Sequence, residues 1–197
     1  EYIELIHMAG LNPRIIDVDT FALQNVYEIL PYENREKTTL LIDVGASKTS
    51  LNILKNNTSL MMRDTVSGTN QISAEIAEQF EISIDDAQLA VDGEINEVVP
   101  KDAVNEISLN VAQSWCSEIC EVVNTYQSGA SDERVEKILL SGGGVFTEGF
   151  KDCLLSELEA DVSVINPFEG LIVNERNFPD SFIRKAGAQA PISIGLA

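Results

Sequence analysis

A polar turn between two apolar runs, in LLIDVGASKTSLNIL, carries residues able to bind phosphate groups. The glycine and the small residues after it permit a tight turn whose backbone N–H groups face an anion, and the hydroxyl and ammonium groups that follow are further donors. Asp43 could hold a magnesium ion through water. The candidate phosphate-binding residues are Asp43, Gly45, Ala46, Ser47, Lys48 and Thr49. A plain β-hairpin with a polar tip explains the same sequence, so this segment alone leaves both interpretations open.

A second candidate segment is LLSGGGVFTEGF, in which a buried strand runs into Gly142, Gly143 and Gly144. Glycines at such a point let a planar or anionic ligand approach the main chain closely. The segment matches neither the G-x-G-x-x-G nor the Walker A sequence. Because a simple turn between a strand and a helix seldom needs three consecutive glycines, the pattern favours a ligand.

A third candidate segment is VSGTNQISAEIA, in which Gly68 precedes a helix whose polar face offers Gln71 and Glu75. Those two side chains could reach a ligand bound beside the helix start. A capped helix start explains the segment equally well.

The charge of the chain excludes two classes of partner. With 32 acidic and 13 basic residues among 197, the net charge is −19, which repels nucleic-acid phosphates and anionic lipid head groups. Much of the negative charge falls in residues 75–121, where a solvated acidic subdomain is favoured over a docking surface for a basic partner. No apolar run approaches the roughly 20 residues that a membrane-spanning helix needs.

The cysteine and histidine content leaves little room for a disulfide framework or a metal centre. Three cysteines without paired spacing favour a reducing compartment, and Cys116 and Cys120, one helical turn apart, are best explained by packing on a helix. His7, the only histidine in the sequence, is interpreted as a residue on a helix face.

The elements that must position these residues alternate between strand and helix. A mixed α/β sheet with an inserted helical lobe is the expected fold class. Asp19 or Thr20 is expected to cap the first long helix, and Thr147 is expected to cap a later one. The predicted strands are 14–19, 38–45, 50–55, 59–66, 137–145 and 161–168, and the predicted helices are 1–10, 20–30, 67–80, a second beginning near Ser83, 101–127 and the one after Thr147.

The order of the three candidate segments is more specific than any one of them. A hairpin with a D-x-G-x-S turn, a G-T start of a helical lobe and a later S-G-G-G strand end resemble the actin-like ATPase superfamily. The segments LNPRIIDVDTFAL, GTNQISAEIAEQFEISIDDAQ, ILLSGGGVFTEGF, INPF and AGAQAPISIGLA narrow the resemblance to the PilM family of type IV pilus assembly proteins.

The resemblance implies an actin-like (ribonuclease H-like) fold that binds ATP and magnesium between two lobes and docks the cytoplasmic tail of PilN. It assigns the turn at Asp43 to a phosphate loop, with Asp43 near the metal, and the glycine triplet with Phe146 to an adenosine loop. Gln71 and Glu75 then lie beside the ribose, and Gly195 lies in a connection between the lobes. Such a scaffold is at most a weak ATPase, is cytoplasmic, and reaches the inner membrane only through partners; homo-oligomerisation stays open.

The resemblance also divides the chain into regions. We expect residues 1–37 to end the first lobe, 38–66 and 128–186 to form the core of the second, 67–127 to form an inserted acidic helical subdomain, and 187–197 to return to the first lobe. Since no I-D-x-G hairpin precedes residue 40, the chain is expected to be the C-terminal part of such a protein. On its own it would bind ATP weakly or not at all.

Two alternatives remain at this point. An actin-fold kinase for a small molecule shares the superfamily fold, although only Asp43 is available here as a catalytic acid. A cell-division protein similar to FtsA would add an amphipathic membrane helix beyond residue 197.

Overall fold

The computed structural model describes residues 1–32, 35–93, 98–129, 133–169 and 178–197. Five strands form one sheet, and helices cover both of its faces. The strands are β1 Thr39–Val44, β2 Thr49–Lys55, β3 Thr58–Thr65, β4 Lys137–Ser141 and β5 Asp161–Val164. The α-helices are α1 Tyr2–Met8, α2 Asp19–Ile29, α3 Asn70–Phe80, α4 Ile84–Val91, α5 Lys101–Gly129, α6 Phe150–Glu157, α7 Asp180–Gln189 and α8 Pro191–Gly195, and a 3₁₀ helix spans Gly143–Phe146.

The sheet is mixed, with strand order β3-β2-β1-β4-β5, and this confirms the predicted fold class. β1 pairs antiparallel with β2 and parallel with β4, so Thr39 lies between Leu54 on one side and Lys137 on the other. β4 pairs parallel with β5. Because parallel neighbours need a long crossover, the helices α3, α4 and α5 lie between β3 and β4 in the sequence. Because β1 and β4 are parallel neighbours, this arrangement brings their C-terminal ends side by side.

Two local sequence signals fold as expected. The turn between β2 and β3 is Asn56-Asn57, and both residues have positive φ angles of 51° and 59°, a conformation that asparagine tolerates in hairpin turns. Ser83 caps α4, where its hydroxyl accepts a hydrogen bond from the Asp86 backbone N–H at 3.1 Å.

The two faces of β1 enter two different cores because successive side chains of a strand point to opposite faces. Leu40 and Ile42 pack with the helices α3, α4 and α5, which together are called the helical lobe. Within this core, Trp115 of α5 is buried and meets the Phe150 ring edge-on, with 5.7 Å between the ring centres. Leu41, on the opposite face, packs against α2. The sheet therefore joins the helical lobe on one face to α2 on the other, and its central strand is packed on both faces.

Helix α2 is fixed at both ends. Near its start it crosses α8, and the Asn25 side chain donates to the Gly195 carbonyl at 3.0 Å. At its C-terminal end, Arg35 donates to the Glu28 and Leu30 carbonyls at 2.8 and 2.9 Å, and to Asn57 Oδ1 at 3.0 Å. The helix that approaches the candidate site thus has little freedom to shift along the sheet.

Several local predictions were wrong, and the strands predicted at 137–145 and 161–168 end early, at Ser141 and Val164. Residues 14–18 run in irregular, mostly exposed backbone, and 14–19 is not a strand because none of the described strands pairs with it. α2 begins after Val18, and neither Asp19 nor Thr20 caps it. α6 begins after Gly149, whose φ of +77° makes the sharp entry that Thr147 was expected to provide.

The predicted helix at 101–127 is confirmed as α5, and the one at 67–80 as the shorter α3. Cys116 is buried in the core, as predicted, and His7 lies exposed on α1. The region boundaries at residues 37, 66, 127 and 186 remain predictions.

Candidate functional site

The β1–β2 turn and the start of α3 are joined by main-chain hydrogen bonds. The N–H groups of Thr69 and Asn70 donate to the carbonyls of Gly45 and Ala46 at 3.0 and 2.9 Å. A β carbon on Gly68 would lie 2.5 Å from the Ala46 carbonyl oxygen, so only glycine permits this approach. The first and third glycine segments of the sequence therefore form one unit.

The glycine triplet packs against the end of the same strand. Gly142 has a φ of +92°, and a β carbon on it would overlap the Val44 backbone. A β carbon on Gly144 would overlap the Val44 side chain. Two of the three glycines thus have a packing explanation that the sequence did not reveal. Gly143 is the member of the triplet that is exposed.

The turn itself presents unused hydrogen-bond donors. The Gly45 N–H donates to the Lys48 carbonyl at 3.0 Å, which closes the turn. The N–H groups of Ala46 and Ser47 have no acceptor within the described ranges, and both residues are exposed. The N–H groups at the start of α3 already donate to the turn carbonyls. An anion bound here would therefore accept hydrogen bonds from the turn and not from the end of the helix.

The ammonium group of Lys48 is held by two carboxylates. Its Nζ lies 3.1 Å from Asp19 Oδ2 and 3.5 Å from Asp64 Oδ2. The hydrogen bond with Asp19 raises the pKa of Lys48 above its ordinary value. The side chain bridges α2 and β3 in this arrangement, and it would have to leave two carboxylates to reach a phosphate.

Asp43 is half-buried at the end of β1, and burial is the main cause that raises its pKa above 3.8. The neighbouring Ser141 hydroxyl acts in the opposite direction and lowers the pKa of Asp43. Asp43 pairs with Ser50 across the β1–β2 ladder, and the buried Ser50 hydroxyl has no hydrogen-bond partner in the described structure. A half-buried carboxylate beside an unsatisfied hydroxyl is costly for stability and suits a bound cation.

Thr49 has a structural part in the site. Its buried hydroxyl donates to the Ser67 carbonyl at 2.8 Å, and the Ser67 hydroxyl donates to Glu118 of α5 at 2.8 Å. This chain of hydrogen bonds links the turn, the segment before α3 and the long helix of the lobe. The Thr49 hydroxyl therefore stabilises the shape of the turn, and it is not free to bind a ligand directly.

The remaining predicted residues lie around this unit. Gln71 accepts a hydrogen bond from the Trp115 indole N–H at 2.5 Å, and Glu75 is exposed one turn further along α3. Phe146, at the end of the 3₁₀ helix, is 45% exposed. The structure thus brings the β1–β2 turn, the start of α3 and the glycine triplet together, with Gln71 and Phe146 at the margins.

Sequence reasoning missed the contribution of α7. The Ala188 carbonyl accepts hydrogen bonds from the Gly142 N–H at 2.7 Å and from the Ser141 hydroxyl at 3.3 Å. The signal was present in AGAQA, a run of small residues that permits close packing, but its position beside the glycine triplet depends on the tertiary fold.

Another concave surface lies away from this unit. A groove of about 860 Å³ runs between α5 and α6 and includes Cys120 and Cys153 in its lining. Burial raises the pKa of the Cys120 thiol. No group of three or more metal-ligating side chains occurs in the part of the chain that the structure describes.

The family model described as type IV pilus assembly protein PilM matches residues 1–197 of this chain. The chain belongs to the PilM family. The match covers all three segments that meet at the end of β1.

Solved structures share the fold of the chain. A chain of a PilM-PilN type IV pilus biogenesis complex is 22% identical, with a TM-score of 0.83 over 99% of this chain and 55% of that one. The ethanolamine utilization protein EutJ from Carboxydothermus hydrogenoformans is 15% identical, with a TM-score of 0.63 over 98% of this chain and 59% of that one. MreB 5 of Spiroplasma citri, solved with bound AMPPNP, is 13% identical, with a TM-score of 0.63 over 98% and 61% of the two chains.

The chain spans little more than half the length of these structural relatives. At these identities the similarity shows the actin-like fold. Within the described ranges, every helix is too short or too polar to cross a membrane.

Proposed function

We propose that this chain forms the second lobe, with the adjoining end of the first, of an actin-like, nucleotide-binding scaffold in the type IV pilus assembly platform. In the intact protein it would bind ATP with magnesium and help to dock the cytoplasmic tail of PilN. The scaffold would be cytoplasmic, with partners holding it at the inner membrane, and would be at most a weak ATPase. Membership of the PilM family favours this function over a kinase or a division protein.

The observation that carries the proposal is the convergence of three glycine segments at the end of β1. Gly68 brings the start of α3 against the β1–β2 turn, and the glycine triplet packs against Val44 just before the turn. The Ala46 and Ser47 N–H groups in the turn have no acceptors in the described chain. Free N–H groups on a tight turn form a binding site for phosphate oxygens. A simple hairpin would not need two further segments packed against it.

Magnesium fits this site as a partner of phosphate rather than as an ion held by protein alone. Asp43 supplies one half-buried carboxylate, and no cluster of three ligands is found in the described ranges. Magnesium bound with nucleotides takes one or two carboxylates and completes its shell with phosphate oxygens and water. Asp43 would therefore orient a water on the ion, and the ion would neutralise phosphate charge beside an acidic protein.

Calorimetry with MgATP on the intact protein tests this proposal. Ala46→Asp places a carboxylate at the exposed tip of the turn, and we expect the affinity for MgATP to fall more than about tenfold from charge repulsion. Asn124→Asp adds the same charge on the exposed surface of α5 and is expected to leave the affinity unchanged.

Residues 1–197 by themselves should bind MgATP weakly or not at all, because one phosphate loop is present. Binding of a PilN tail peptide to the intact protein, measured in the same preparation, tests the partner. Equal affinities of the two variants, or sub-micromolar binding of MgATP by residues 1–197, would contradict the proposed site.

A further inference from the structure

The C-terminal end of α7 is fixed to the glycine triplet by its backbone. The Ala188 carbonyl accepts from both Ser141 and Gly142, and Gly187 lies so close to Asn166 that a β carbon would meet its Oδ1 at 3.2 Å. The helix is thus held on one side by the end of β4 and on the other by the segment after β5. The backbone of the residue that follows Ala188 therefore has a defined place beside the triplet.

Gln189 is that residue, and its side-chain amide lies over Gly143. Gln189 Nε2 is 3.1 Å from the place where a β carbon of Gly143 would be. Both residues are exposed, and the Gln189 amide makes no hydrogen bond within the described ranges. The exposed ring of Phe146 stands at the other end of the same 3₁₀ helix. A flat ligand against Gly143 would therefore meet a free amide at one edge.

A free primary amide carries a donor and an acceptor side by side. That pair matches the 6-amino group and N7 of adenine, whereas guanine presents two acceptors, N7 and O6, at the same edge. An amide in this position can therefore distinguish the two purines. Either orientation of the amide keeps one donor and one acceptor available, because neither atom is used internally.

We propose that Gln189 is the residue that selects adenine over guanine at this site. The proposal rests on the proposed nucleotide-binding function and adds the base that the site accepts. Gln189 acts on the base alone, and the β1–β2 turn acts on the phosphates.

The test compares ATP and GTP binding to the intact protein and its variants by calorimetry. The wild type is expected to prefer ATP by about 10- to 100-fold, the range that a bidentate amide–adenine pair gives. In Gln189→Ala the preference should fall to about twofold or less, with the loss on ATP. Purine riboside triphosphate, which lacks the 6-amino group but keeps N7, should bind the wild type more weakly than ATP does, and this gap should narrow in Gln189→Ala.

Gln79→Ala, which removes an exposed glutamine from α3, is the control and should keep the wild-type preference. Because Gln189 is exposed, its alanine variant should melt at the wild-type temperature. A wild type without base preference, or a Gln189→Ala variant that keeps it, would overturn the role of Gln189 while nucleotide binding stands. A wild type that binds neither nucleotide would overturn the proposed function and this inference together.

Discussion

Gly195 of α8 lies against the Ala22 carbonyl of α2 so closely that a β carbon on Gly195 would overlap it. Asn25, one helical turn after Ala22, donates its side-chain N–H to the Gly195 carbonyl at 3.0 Å. The backbones of the two helices are therefore in contact at this crossing, and there is no room for a side chain at Gly195. Since α2 also covers one face of the sheet, the crossing links the last described helix to the core.

Gly195→Ala is expected to lower the free energy of unfolding by about 1–3 kcal/mol, because overpacking forces the two helices apart. Urea unfolding followed by circular dichroism measures the change. Gly129→Ala, at the end of α5 with open space around the new methyl group, is the control and should change stability by less than about 1 kcal/mol. Equal effects of the two substitutions would contradict a tight crossing.

Arg35 has a comparable stabilising role at the other end of α2. Its guanidinium donates to the Glu28 and Leu30 carbonyls and stacks over Tyr27 at 5.3 Å from the ring centre. Arg35→Ala should cost about 2 kcal/mol of stability because the last carbonyls of α2 lose their donors.

Arg134→Ala provides the control for Arg35. Arg134 forms an exposed ion pair with Glu159 at 3.5 Å, and exposed pairs contribute little. Its removal should change the urea midpoint by less than a quarter of the Arg35 effect. A result in the opposite order would show that the contacts at the end of α2 do not stabilise the fold.

Asp43→Asn should have opposite effects on stability and on binding. Burial raises the pKa of Asp43, so the folded state favours the protonated carboxyl. The contribution of this group to stability is fully present below pH 3.8 and is lost as pH rises through the raised pKa. Because the amide cannot ionise, the Asp43→Asn variant should melt at a higher temperature than wild type at neutral pH, with the difference shrinking toward low pH.

In the intact protein the same substitution should weaken MgATP binding about tenfold, because the ion loses its carboxylate. Calorimetry with and without magnesium separates this effect from a change in the fold. Unchanged affinity in magnesium would remove Asp43 from the metal site, and a lower melting temperature would contradict the cost of its burial.

Release of Lys48 should strengthen nucleotide binding. Asp19→Asn with Asp64→Asn removes both carboxylates that hold its ammonium group, and the affinity of the intact protein for MgATP should rise about tenfold at low salt. Stability should change by less than about 1 kcal/mol, since all three side chains are roughly half exposed.

The control is the double variant Asp85→Asn with Asp102→Asn, on α4 and α5. It changes the net charge by the same amount as Asp19→Asn with Asp64→Asn, so it separates the effect of releasing Lys48 from the effect of total charge. These residues are exposed and lie on the helical lobe. An equal gain of affinity in the two double variants would show that Lys48 has no specific part. At about 1 M salt the difference between them should disappear.

The elements with local signals could be predicted from the sequence. Asn56-Asn57 specified a hairpin turn, Ser83 specified a helix start, and the spacing of apolar residues specified α5. Residues 14–18 have the composition of a strand, but whether a segment pairs depends on a neighbour supplied by distant parts of the chain. The strand prediction failed there for that reason.

In the candidate site, too, some features could be predicted from the local sequence and others depend on the tertiary fold. The order of the three glycine segments marked them as candidate binding regions, and the structure brings them together; their binding role stays a prediction. The reasons for the individual glycines are tertiary: Gly142 and Gly144 accommodate Val44, and Lys48 is held by Asp19 of a different element. Gln189 had no local signal, because its place over Gly143 is set by hydrogen bonds of its neighbour Ala188.

The parallel pairing of β1 with β4 also has a consequence for synthesis of the chain. β1, β2 and β3 emerge from the ribosome together and can pair at once, whereas β4 follows only after α3, α4 and α5 have been made. Until then one edge of β1, with Leu40 and Ile42 beside it, has no partner strand, and such edges promote aggregation. The slow step in folding should therefore be the docking of β4, and translation pauses within α5 would lengthen the interval in which a chaperone is needed.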